Sequence, residues 1–117
     1  MPARLKVLTP QQLATADATS DTKSLVKHYL AVLEERAPGR SVEVRVPPYA
    51  AVQVVPGVRH TRGTPPAVVE TDAATWLAVA TGEKTWAEAL DSGRVAASGE
   101  RTDLSPYLPL SAIGDKA

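Results

Sequence analysis

The chain has 117 residues, 44% of them apolar and 22% charged, which predicts one soluble globular domain and excludes a disordered polymer. Thirteen basic residues balance thirteen acidic ones, so no net field draws the chain to nucleic acid or to an anionic membrane. Cysteine is absent, which excludes disulfides, thiolate metal sites and a thiol nucleophile.

The apolar share is weighted to Ala and Val, with no Phe and one Met, so small and β-branched side chains must fill the core. The opening MPARLKVLTPQQ has no apolar run of the length a secretory leader needs, and no stretch of the sequence approaches a membrane span. The expectation is a cytoplasmic protein without stable membrane insertion.

Residues 1–19 form an N-terminal segment. Thr9-Pro10-Gln11-Gln12 is a helix start, with Thr9 as N-cap, Pro10 where its missing N–H costs nothing, and Gln12 three places after the cap. ATADATSD follows with little apolar periodicity, so this helix is expected to be short or frayed. From Ser20 or Asp21 the pattern sharpens. Leu25, Val26, Tyr29, Leu30 and Leu33 make one stripe of an amphipathic helix, and Ala37-Pro38-Gly39 ends it.

SVEVRV alternates strictly and reads as a half-buried strand over 41–46. After Pro47-Pro48, YAAVQVV reads as a second strand, antiparallel to the first. Val55-Pro56-Gly57 has the residues of a type II turn, and a loop then leads to AVVET, a third strand. Asp72 caps a helix from Ala73 to about Thr81, with Gly82 where left-handed backbone is needed. Thr85-Trp86-Ala87-Glu88 is a capping box opening another helix that stops at Gly93. RVAAS is a fourth strand, DLSPYL a last helical turn, and residues 111–117 a loose tail. Strands grouped apart from helices predict an α+β layer over residues 20–110: a four- to five-stranded, mainly antiparallel sheet with helices on one face.

Reactive chemistry is sparse. The two histidines, His28 and His60, are far apart in sequence and no GxSxG elbow is present, so no catalytic triad is predicted. Two distant histidines without cysteine make no metal site, and the glycines are single turn residues, not a phosphate loop. His28, beside the apolar stripe, is expected at the surface or at its boundary. Arg59, His60 and Arg62 crowd one loop of a neutral chain; they suit an anion or carboxylate contact, or simply a solvated loop.

Trp76 and Trp86 are the only tryptophans. Trp76 shares a helix face with Leu77 and Ala80, and Trp86 shares one with Ala89 and Leu90. Both indoles are expected to point toward the sheet, with Val95, Leu104 and Leu108. These faces can serve as core or as the wall of a ligand space.

The stretch Thr64–Leu110 resembles the sterol carrier protein type 2 (SCP-2) family. The residues that carry the likeness are VVETD, then ATWLAVATG with Leu77 leading to Gly82. KTWAEALDSGRVAASGE follows, with Ala87 and Ala89 in its helix, then Gly93-Arg94-Val95 and Gly99, and finally DLSPYLPL. With the upstream helix and strands the likeness covers about residues 20–110. It is nearest to small single-domain actinobacterial members, which have phrases similar to RSVEVRVPPYAAVQ and RHTRGTPPAVVETD.

The resemblance implies a non-enzymatic carrier without cofactor, holding an apolar small molecule such as a sterol or fatty-acyl group between sheet and helices. Trp76, Leu77, Ala80, Trp86, Leu90, Val95, Leu104 and Leu108 would then line the ligand, with Arg59, His60 and Arg62 on its anionic end. The alternative is an accessory domain that docks on a protein partner. A related domain forms the C-terminal part of mycothiol-dependent maleylpyruvate isomerase, whose metal chemistry belongs to a helical bundle domain that this chain does not contain.

One magnitude bears on the choice. An empty apolar pocket of about 300 Å³ would cost about 7 kcal/mol at ~24 cal/mol per Å³. That is comparable to the roughly 5–15 kcal/mol stability of a small domain. A large dry cavity is therefore not expected without a ligand in it.

Overall fold

The valines of the first two strands dictate the sheet. In the computed structural model, which describes residues 5–57 and 67–110, β1 (Val42–Val46) and β2 (Ala50–Val54) pair antiparallel. Val42 lies opposite Val54 and Val44 opposite Val52. The period of two puts these four side chains and Val46 on one buried face, and it turns Arg45 and Gln53 out to water. The described sheet has four strands in the order β2-β1-β3-β4.

β3 (Ala67–Thr71) lies parallel to β1, and β4 (Val95–Ser98) lies antiparallel to β3, so the sheet is mixed. The sequence pattern favoured antiparallel neighbours because β1 and β2 join through a short turn. It carries no mark of the crossover that sets β3 against the far side of β1.

Helices cover the valine face. α1 (Pro10–Ala18) begins with the expected capping box at Thr9 and Gln12 and, despite its weak apolar pattern, runs nine residues. It buries only Ala16. α2 (Thr22–Arg36), capped by Asp21, buries Val26, Tyr29, Leu30 and Leu33. α3 (Ala73–Thr81), capped by Asp72, buries Trp76, Val79 and Ala80. The Thr75 backbone N–H donates to the Asp72 carboxylate at 2.8 Å and holds that carboxyl below its usual range.

α4 (Trp86–Asp91) opens on the Thr85–Glu88 capping box. A single 3-10 turn, Ser105–Tyr107, follows β4. Here the Asp103 carboxylate accepts from the Ser105 N–H at 3.0 Å, and the last helical turn goes no further.

Two local expectations are corrected. The turn after β2 is not type II. Its left-handed residue is Val55, at φ 73°, while Gly57 is not among the residues with positive φ. A β-branched residue is rarely found there. Two hydrogen bonds hold it: the Val55 N–H donates to the Ala37 carbonyl at 2.6 Å, and the Val55 carbonyl accepts from the Ser41 N–H at 3.1 Å. His28, expected near the surface, is buried at 5% exposure. Its Nδ1 accepts the backbone N–H of Leu8 at 2.9 Å, so the N-terminal segment itself covers it.

The stretch after the 3-10 turn is fastened to the end of α2. The Arg36 guanidinium donates to the carbonyls of Pro109 at 2.9 Å, Tyr107 at 3.2 Å and Leu110 at 3.4 Å. The Leu110 N–H in turn donates to the Ala80 carbonyl at 2.8 Å. Replacing Arg36 by Ala is expected to cost about 1–2 kcal/mol and to speed exchange of the Leu110 amide. Lys is expected to restore only part of the loss, since an ammonium cannot span three carbonyls as the planar fork does. Chemical denaturation together with hydrogen exchange measures both effects.

Candidate functional site

The expected ligand-lining residues fall into three environments. Trp76, Ala80 and Leu104 are fully buried and Trp86 is 6% exposed; all four belong to the central apolar cluster. Leu77, Val95 and Leu108 are half-buried and pack on its edge. Leu90 does not join them. It is 41% exposed, because α4 has six residues and turns Trp86 and Ala89 inward, which leaves Leu90 beyond the edge of the buried arc. Arg59, His60 and Arg62 lie outside the described residues.

Burial decides what the cluster can do. Trp76 presents no surface to water, and neither do Leu30, Leu33 and Leu104, so none of them borders a space open to a ligand in this conformation. The Trp76 indole N–H points to the Val26 carbonyl at 3.4 Å and ties α3 to α2. These rings hold the helical layer against the sheet.

Open space lies on the outer side of that layer instead. A groove of about 520 Å³ runs between α2 and α3, lined by Leu25 and Tyr29 from α2 and by Ala74, Leu77, Ala78 and Thr81 from α3. Asp17 of α1 and Glu83 complete its lining. The helical period puts both sides there: Leu25 and Tyr29 are four apart, as are Ala74 and Ala78, and Leu77 and Thr81. The Thr81 hydroxyl turns back on the Leu77 carbonyl at 2.8 Å, so the α3 wall presents its methyl groups. A second open space, about 460 Å³, lies where α1 meets the start of α2, and its lining is mixed, Gln11, Gln12, Thr15, Asp21 and Ser24 beside Leu8 and Ala16. Leu77 is the residue shared by the expected lining and the observed groove. The α2 side was not foreseen, although the stripe that carries Leu25 and Tyr29 was plain in the sequence.

Among the described residues no group of three or more His, Asp or Glu side chains stands close enough together to hold a metal ion. No helix among them is long and apolar enough to cross a membrane.

The molecule so defined is a small α+β domain whose mixed sheet is covered on one face by helices. It belongs to the family described as Bacterial SCP ortholog, whose sequence profile matches residues 18–110. Membership suggests, at a coarse level, a lipid-binding carrier role in a family that is generally non-catalytic. A comparison with curated proteins found no match.

Proposed function

We propose that this chain is a non-enzymatic binding module that holds an apolar small molecule of the sterol or fatty-acyl kind along the groove between α2 and α3. The groove carries the proposal. Its volume, about 520 Å³, falls within the roughly 300–1,000 Å³ typical of small-molecule sites, and its walls are mainly apolar. The family's carrier role supports the ligand class. A ligand there leaves the Trp76 and Trp86 core packed, with Leu77 as the contact between groove and core.

A lipid at a hundred times its dissociation constant is expected to stabilise the protein by about 2.7 kcal/mol. For a domain of this size that is a rise of roughly 10 °C in Tm. Leu77→Glu places a carboxylate on the groove wall and is expected to abolish the rise. Thermal melts with sterols, fatty acids and acyl-CoA test it, and no stabilisation by any of them would overturn the proposal. Tryptophan emission separates two modes: a ligand in the groove leaves it unchanged, whereas one that parts the helices and enters the core shifts it.

The filled interior favours a second role, an accessory domain that binds a protein partner without a small-molecule ligand. Native mass spectrometry of protein from its own host discriminates, since a retained lipid adds a small mass and a partner adds a polypeptide.

A further inference from the structure

His28 is the buried ionisable side chain whose hydrogen bond reaches furthest from its own helix. Its Nδ1 accepts the Leu8 N–H across twenty residues of sequence, at 2.9 Å. An imidazole nitrogen accepts only through a lone pair, so the ring must be neutral, with its proton on Nε2. A second proton has to go on Nδ1, and an N–H would then face the Leu8 N–H, donor against donor. The tie that secures the N-terminal segment to α2 is thus incompatible with the imidazolium.

Little else secures that segment. α1 buries Ala16 alone, and an open space of about 460 Å³ lies where α1 meets the start of α2. Leu5 packs on the edge of the core, and the turn after α1 returns the Asp21 N–H to the Ala16 carbonyl at 2.9 Å.

We propose that Leu5–Ala18 is a proton-released strap: protonation of His28 breaks its hold on Leu8 and lets α1 swing away from α2. Asp17, on α1, lines the α2–α3 groove, so the same motion opens that end of the groove. This last step rests on the binding role proposed above; release of the strap does not.

The electrostatic setting is consistent. Burial holds the His28 imidazole below its ordinary range, and the Asp17 carboxylate on α1 pulls in the opposite direction. The Tyr29 ring packs edge-on at 4.7 Å and adds no charge. Because the folded value is depressed, the strap's contribution to stability is complete above the ordinary imidazole value, about 6.5, and is lost as pH falls through the lower folded value.

The test is amide hydrogen exchange of the full chain at pH 7.5 and pH 5.0, corrected for intrinsic exchange rates and run without ligand. Leu8 and the α1 amides are expected to lose protection at pH 5.0, by up to about thirtyfold, while Val44 and Val69 in the sheet keep theirs. His28→Asn offers Leu8 an acceptor that does not titrate and is expected to remove the pH dependence. Asp17→Asn, a surface change that does not threaten folding, is expected to move release to lower pH. Equal corrected protection at both pH values in the wild type would overturn the strap, as would release at pH 5.0 that persists in His28→Asn. A failed lipid screen would leave these results unaffected, so the two proposals fail separately.

Discussion

Trp76→Ala lowers the unfolding free energy by about 3–5 kcal/mol in a denaturant titration. Trp76 is the largest fully buried side chain, and its indole fills the junction of α2, α3 and the valine face of the sheet. Truncation opens a void that neighbours as small as Val26, Val79 and Ala80 cannot close by changing rotamer. Its N–H bond to the Val26 carbonyl is long, at 3.4 Å, and contributes less than the lost volume. Domains of this size have roughly 5–15 kcal/mol to lose, so the variant is expected to be partly unfolded near physiological temperature. Leu90→Ala, at a side chain turned out to solvent, is the control and is expected to change stability by less than about 0.5 kcal/mol. A loss below about 1 kcal/mol for Trp76→Ala would refute the filled core.

Gly39→Ala is the second large effect, about 2–4 kcal/mol, and its cause is backbone, not volume. Gly39, at φ 154°, sits where the chain leaves α2 for β1, and a Cβ there would collide with the Val55 carbonyl. That carbonyl cannot retreat. It accepts from the Ser41 N–H at 3.1 Å, while the N–H of the same residue is held by the Ala37 carbonyl at 2.6 Å. Gly93 gives the contrast. It is left-handed at φ 78°, but nothing lies within 4 Å of a Cβ there, so Gly93→Ala is expected to cost only about 1 kcal/mol. Equal losses at the two sites in parallel denaturant titrations would show that the collision is relieved by local adjustment.

The elements most legible in the sequence were those fixed by local chemistry. The capping boxes at Thr9 and Thr85 and the alternation of Val42, Val44 and Val46 each need only a few adjacent residues to specify them, and each is present. What the sequence hid depends on partners far along the chain. His28 looks peripheral on a helical wheel because Leu8, which covers it, belongs to another element. Leu90 looks like a core residue because it stands four places after Trp86 on the same helix, but the buried arc runs from Trp86 toward Ala89 and leaves it in solvent. The open turn at Val55 carries Pro and Gly in the order that ordinarily marks a type II bend, yet its conformation is set by Ala37 and Ser41. For the candidate site, one wall was legible through Leu77. The groove needs two helices side by side, and no single stretch of sequence declares which pairs will meet.

Both flanks of the chain are moored to α2: Leu8 through His28 and residues 107–110 through Arg36. On the ribosome, α2 is made before Trp76, Leu104 and Leu110, which later cover its apolar stripe. Until those residues join it the nascent helix is unshielded, and any chaperone that attends it has a natural handle in the stretch from Val26 to Leu33. The helical layer can close only once Leu110 has cleared the ribosome and its N–H can reach the Ala80 carbonyl.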